Sequence, residues 1–325
     1  MRLRFVLALT ALVAAAPLAA EDPAAQPDQT ASSDFVNPLA SEVIALERDR
    51  DSRYTLPVLV DGIGPFAFMI DTGSQATAVT QELRSTARLA SAGTATVVGM
   101  ASRRQVDLVD VGRIDFGSNS YANFAAPVLA RENIGADGII GLDALQDFRV
   151  LIDFRQHTIA VEDPRRNQKD RGFDIVVRAR SRLGQLLISD AMVEGVRAMV
   201  IIDTGAQASV GNLALRERIR AKRAQEVVTT DVNGVDIVGQ LAFVRSLTIK
   251  GLSLTEVPLT FADAPAFAAL GLQDRPVLSL GMQHLALFDR VAIDFGRQQI
   301  LFDVPADVER ALREARRGHS YSPRF

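Results

Sequence analysis

Short apolar runs recur along the chain, each closed by glycine, Asp, Asn or a polar pair. That spacing predicts strands and hairpins rather than long helices. In the first half the expected strands are Val43 to Leu46, Tyr54 to Val60 and Phe66 to Ile70, with a turn at Asp61-Gly62-Ile63-Gly64. Thr94 to Val98 and Val106 to Val111 follow, joined by Gly99 to Arg104 as a candidate hairpin. Gly112 to Phe116 then runs into a turn at Gly117 to Asn119. After Asp137 to Leu142 a short helix is expected over Asp143 to Phe148, and strands at Val150 to Phe154 and Thr158 to Val161 close this half.

The second half replays the pattern. Leu186 to Ser189, Ala191 to Glu194 and Ala198 to Ile202 read as strands, with a turn at Glu194-Gly195-Val196. Asn212 to Lys222 reads as a helix, with Leu213, Leu215 and Ile219 as its apolar face. Val227 to Val232 and Val235 to Val238 flank Asn233-Gly234. Asn-Gly between apolar strands predicts a tight hairpin, because both residues tolerate positive φ. Pro276 to Gly281 answers Asp137 to Gly141, and Ala306 to Arg317 reads as a polar helix stopped by Gly318.

Two repeats make the replay explicit. The windows Asp71-Thr72-Gly73-Ser74-Gln75-Ala76 and Asp203-Thr204-Gly205-Ala206-Gln207-Ala208 differ only at Ser74 and Ala206, and their offset, 203 − 71, is 132 residues. Each follows an apolar strand, so each half delivers a carboxylate at a strand end, at a sharp turn. The closing segments also match: Phe148 to Phe154 against Phe288 to Phe295, with one inserted residue. From motif to closing Asp the halves span 153 − 71 = 82 and 294 − 203 = 91 residues, which places about nine extra residues near 260–276 of the second half. Asp153 and Asp294 repeat as well, but between apolar neighbours of a strand they read as structural. Gly138-Ile139-Ile140-Gly141 lacks the Lys-Ser/Thr of a phosphate loop.

Composition narrows the function classes. With 48% hydrophobic and 23% charged residues the chain is ordinary globular protein, and its 325 residues suit two domains. A formal net charge of −3 gives no basic footprint, so nucleic acid is not an expected partner. Cysteine is absent, which excludes disulfides, thiolate metal sites, a Cys nucleophile and a lipid-anchored Cys. His157, His284 and His319 are scattered and read as surface or loop imidazoles, so no metal or cofactor is expected. Arg165-Arg166 and the Arg-rich stretch to Arg317 read as solvated faces.

Residues 1–20 carry Arg2, Arg4 and an apolar stretch ending in small residues, as an export signal does, with an uncleaved anchor as the other reading. No second long apolar run follows, so the mature chain should have no stable membrane span, and the expected location is periplasmic or secreted. The expected organisation is a signal (1–20), a leader that is either flexible or a short propeptide (21–41), an N-terminal lobe (42–164), a charged linker (165–172), a C-terminal lobe (173–305) and a polar tail (306–325).

Two Asp-Thr-Gly motifs at strand ends, each followed by an apolar-glycine element (Ile139-Ile140-Gly141 and Leu280-Gly281), resemble the aspartic proteases. The chain is most similar to bacterial retropepsin-like members with both halves fused, over roughly residues 42–305. Ser279 departs from the pattern by interrupting the second apolar run. The resemblance implies a mostly β fold of two homologous β-barrel lobes with a few short helices. It implies a catalytic pair, Asp71 and Asp203, that activates water for peptide hydrolysis without metal. Thr72 and Thr204 would lock the two loops together. Gly73 and Gly205 would allow the turns, and Ser74 and Ala206 would complete the supports. Gly99, Met100, Asn233 and Gly234 would lie at flap tips over an extended peptide or protein substrate. One chain holds both aspartates, so a monomer suffices. A hydroxyl at Ser74 but not at Ala206 suggests that Asp71 is the more often ionised and Asp203 the more often protonated. The rival reading is a peptide-binding or scaffolding protein on the same duplicated fold, which would not need intact aspartates.

Overall fold

The computed structural model describes residues 4–6, 44–45, 47–48, 54–163, 172–219, 222–306 and 308. Most of the expected signal, the leader, nearly all of the linker, His319 and most of the polar tail lie outside the described residues. The described chain is mostly β and forms two lobes joined by a third sheet.

The N-terminal lobe is an eight-stranded sheet in the order Glu47–Arg48, Tyr54–Val60, Ile63–Ile70, Gly138–Ile140, Ala78–Thr80, Asn119–Leu129, Arg103–Phe116 and Ser91–Val98. It curls on itself, because Leu59 and Val60 also pair with Asp115 and Ile114. The C-terminal lobe repeats this: Val196–Ile202 lies beside Val277–Leu280, and Asp236–Ile249 pairs with both Leu252–Phe261 and Gln185–Val193. The backbone of Arg4–Val6 runs parallel to Val228–Thr230 at the edge of that sheet. Alternation along the strands sends Leu56, Val58, Phe68, Val109, Val111 and Ile114 inward in one lobe and Ala198, Val200, Val244, Leu259 and Phe261 inward in the other. Burying each large apolar side chain is worth about 1.5–3 kcal/mol.

The closing strands hold the lobes together. Arg149–Asp153 pairs antiparallel with Arg290–Asp294 at the centre of a six-stranded sheet that also contains Thr158–Glu162, Gln299–Asp303, Ile175–Arg178 and Ile44–Ala45. Asp153 and Asp294 each cap the turn that follows, accepting from Gln156 N and Arg297 N, both at 2.8 Å. They are structural, at a distance in sequence and role from the paired motifs.

Several elements differ from those expected of the local sequence. Arg103–Phe116 is one strand, not two, since Gly112 lies against the Asp61 carboxylate without breaking the ladder. Asn119–Leu129 and the long strands Asp236–Ile249 and Leu252–Phe261 outrun their apolar patterns, because one face of each meets solvent. The helix Gln81–Ala87 went unforeseen: only Leu83 and Ala87 are buried, too few for a periodicity. The expected helix over Asn212 to Lys222 shrinks to Leu213–Arg216, capped by Asn212 Oδ1 accepting from Leu215 N (3.0 Å). Beyond it Lys222–Thr230 joins the hairpin with Asp236–Ile249, and the ladder overrides a weak helical preference. Most of the extra length of the second half falls between Phe261 and Val277, a longer connection around the helix Pro265–Ala269 than the one around Arg131–Ile134 in the first half.

Candidate active site

Each Asp-Thr-Gly turn hangs from two strand ends. Asp71 follows Ile63–Ile70 and its amide donates to Ile140 O (3.0 Å); Asp203 follows Val196–Ile202 and donates to Leu280 O (3.0 Å). The carboxylates then fold back onto their own turns. Asp71 Oδ1 accepts from Gly73 N (2.7 Å) and Ser74 N (3.0 Å), and Asp203 Oδ1 accepts from Gly205 N and Ala206 N (3.1 Å each). Both residues are buried, at 1% and 0% exposure, where an ionised pair is costly unless partnered.

The two turns are bound to each other by their threonines. Thr72 Oγ1 donates to Ile202 O (2.8 Å) and Thr204 Oγ1 donates to Ile70 O (2.7 Å). In return Thr72 N donates to Thr204 Oγ1 (3.0 Å) and Thr204 N to Thr72 Oγ1 (3.2 Å). The motifs are so close that a Cβ added at Gly205 would overlap the Asp71 carboxylate. Glycine is required there by the approach of the opposite lobe.

The hydroxyl expected to mark Asp71 marks Asp203 instead. Ser74 Oγ donates to Ala76 O (2.9 Å) and so is spent on its own loop. Ser279 Oγ donates to Asp203 Oδ2 (3.0 Å). The residue that broke the apolar pattern of the second glycine element is thus a direct partner of the second carboxylate. Even so, Asp203 has its pKa raised well above the usual carboxylate range. Burial is the main cause, the charge of Asp71 the second, and the bonds from Ser279, Ala206 and Gly205 oppose them.

Behind each turn a hydroxyl six residues after the Asp supports the glycine element. Gly141 N donates to Thr77 Oγ1 (3.1 Å), and Gly281 N to Ser209 Oγ (2.9 Å). Thr77 Oγ1 in turn donates to Asp143 Oδ1 (2.7 Å), whereas Ser209 Oγ shares a hydrogen bond with His284 Nδ1 (2.6 Å). Burial raises the pKa of Asp143 and lowers that of His284 to about 4. His284, 3% exposed, is therefore no surface imidazole, and His157 sits in a turn at φ 52°. Gln185, 1% exposed, crosses from the C-terminal lobe to donate to Gly73 O (2.8 Å). Only the shared hydroxyl spacing of Thr77 and Ser209 could have been read from sequence; Gln185 and His284 carried no local signal.

The two hairpin tips meet. Gly99 to Ser102 is a turn closed by Gly99 N donating to Ser102 O (2.8 Å). Asp231 to Val235 is the other, and here the turn differs from expectation: Gly234 takes positive φ (77°), while Asn233 is held by its amide on Asp231 Oδ1 (2.9 Å). Met100 is fully buried in an apolar cluster with Ala206, Ala208 and Phe267, and Val232 in one with Ala78, Leu129 and Ile139. Each tip thus reaches the opposite lobe.

The aspartyl protease family model matches residues 56–144 and 189–283, one segment in each lobe and each containing one Asp-Thr-Gly turn. The chain belongs to the aspartyl protease family. Among solved structures it is similar to a retropepsin-like aspartic protease from Rickettsia conorii, at 20% identity over 40% of this chain and 88% of that one, with a TM-score of 0.28. No curated protein matches the chain. As in the sequence, the family region is present twice, so this aspartyl protease chain carries both lobes in one polypeptide.

Proposed function

We propose that this protein is an aspartic endopeptidase whose catalytic dyad is Asp71 and Asp203. The observation that supports it most is the reciprocal threonine lock that holds the two motifs together, with the buried Asp71 carboxylate against Gly205 of the opposite motif. Like charges confined to two buried, facing turns cannot both ionise easily, so the pair holds one proton. The raised pKa of Asp203 favours the proton there, leaving Asp71 the more often ionised, although the titration belongs to the pair. This is the ordering expected from sequence, reached through burial rather than through Ser74. The ionised carboxylate takes a proton from a water between the two, the protonated one donates to the scissile carbonyl, and water adds without a covalent intermediate.

The paired tips then serve as flaps. They exclude water and present backbone to an extended peptide once they have opened to admit it. The apolar N-terminal stretch supports an exported enzyme, and the presence of both aspartates in one chain supports a monomer. The test is hydrolysis of a diverse peptide library across pH 3 to 7, with Asp71→Asn and Asp203→Asn beside wild type and folding checked by circular dichroism. Cleavage should fall at least about a thousandfold in each variant and be unaffected by chelators. Cleavage retained in either folded variant would falsify the dyad, and no cleavage by folded wild type at any pH would favour the peptide-binding alternative.

A further inference from the structure

The contact between the two tips is more than a meeting of hairpins. Asp231, 0% exposed, stands at the start of the C-terminal tip. Its Oδ1 accepts from Asn233 N (2.9 Å) and Val235 N (3.0 Å), which shapes its own turn. Its Oδ2 leaves the lobe entirely, accepting from Ala101 N (3.1 Å) and Ser102 Oγ (2.8 Å) of the N-terminal tip. Asn233 Nδ2 adds a bond to Ser102 Oγ (3.0 Å), and Arg104 donates to Asn233 O (3.1 Å). Gly99 packs on the same carboxylate so closely that an added Cβ would overlap it. Around this polar clasp the apolar side chains are exchanged: Met100 enters the C-terminal lobe's cluster and Val232 the N-terminal lobe's.

We propose that Asp231 is the catch of a latch that keeps the two tips closed over the paired aspartates, with Met100 and Val232 as its two bolts. Bonds to a buried carboxylate are the strong kind, and they are worth most where water is excluded. The arrangement is one-sided: a single carboxylate, from one lobe, serves both turns. Opening must withdraw Met100 from the C-terminal lobe's apolar cluster and expose Asp231 together, so the resting protein is latched and the open form is a minor state that admits substrate. That last step rests on the protease reading; the latch itself does not.

The test reads the latch without catalysis. Met100 should resist mild peroxide in the folded wild type, while half-buried Met192 in the same chain serves as the internal reference. Asp231→Asn replaces Oδ2 with a donor that cannot accept from Ala101 or Ser102. Gly99→Ala displaces the carboxylate from the opposite tip. Each should speed Met100 oxidation at least tenfold, leave Met192 unchanged and raise amide exchange at Ala101, a residue 130 positions from Asp231. Oxidation of Met100 in wild type as fast as Met192, or unchanged rates in both folded variants, would overturn the latch. Where peptide cleavage is measured, both variants should raise kcat/KM, because the open fraction limits capture. Faster oxidation with an unchanged or lowered kcat/KM would overturn the gating role.

Discussion

The two lobes are the same backbone twice and different chemistry each time. Both turns hang from equivalent carbonyls, both carboxylates accept two amides of their own turn, and Leu142 N and Met282 N return to Ser74 O (2.9 Å) and Ala206 O (2.8 Å) in matching positions. The side chains then diverge. Asp203 has the Ser279 hydroxyl, where the N-terminal lobe places Ile139. The supporting hydroxyl leans on a carboxylate, Asp143, in one lobe and on an imidazole, His284, in the other. Duplication supplies a symmetric frame, and the asymmetry needed to distinguish two carboxylates comes from residues one layer out.

The symmetric part of that comparison is tested hardest at the threonines. Thr72→Val and Thr204→Val each strand a buried amide and a buried carbonyl, so each should cost about 2–4 kcal/mol in urea unfolding. Near-equal losses are expected from the reciprocal geometry; a large difference would break the equivalence of the turns.

The supporting pair should respond to acid in opposite directions. His284 has a folded pKa of about 4, below its unfolded value near 6.5, so its contribution is fully present above pH 6.5 and is lost as pH falls towards 4. The loss approaches about 3 kcal/mol across that window. Asp143 has a raised folded pKa, so its burial opposes folding once it ionises, and acid relieves that cost. Urea unfolding at pH 7 and pH 4.5 should therefore show wild type losing stability in acid, His284→Gln flattening that loss and Asp143→Asn making it steeper.

Ser279→Ala should have a smaller effect, on the dyad alone. Loss of its bond removes a force that lowers the proton affinity of Asp203, so the alkaline limb of kcat/KM should move to higher pH. Ser74→Ala should do least. It removes one bond to Ala76 O, costs about 1 kcal/mol and leaves the pH profile in place. A profile shift in Ser74→Ala rather than in Ser279→Ala would reverse the asymmetry.

Much of this was legible before folding. The strand ends, the paired turns and the hairpin positions are local: an apolar run, an Asp and a glycine within a few residues dictate each. The errors have physical causes. Asn233-Gly234 suggested two positive φ angles, but the Asp231 side chain captures the amides of Asn233 and Val235 and leaves the left-handed position to Gly234. Ser74 stood near the right carboxylate in sequence and spent its hydroxyl elsewhere, while Ser279, 76 residues from Asp203, arrived across the sheet. His284 looked like a surface residue because nothing in its neighbours announces that the one turn of helix Met282–Leu285 faces inward.

Sequence alone determined that this protein has two copies of one β unit, where each copy turns, and which two carboxylates are equivalent. Periodicity and turn residues act over a few positions, so they survive in the bare string. Only the tertiary structure decided which hydroxyl meets which carboxylate, that the threonines cross between lobes, and that Asp231 ties one tip to the other. Those bonds join residues 66 to 134 positions apart, and their partners are chosen by the register of strands across a sheet, a quantity that no local segment encodes.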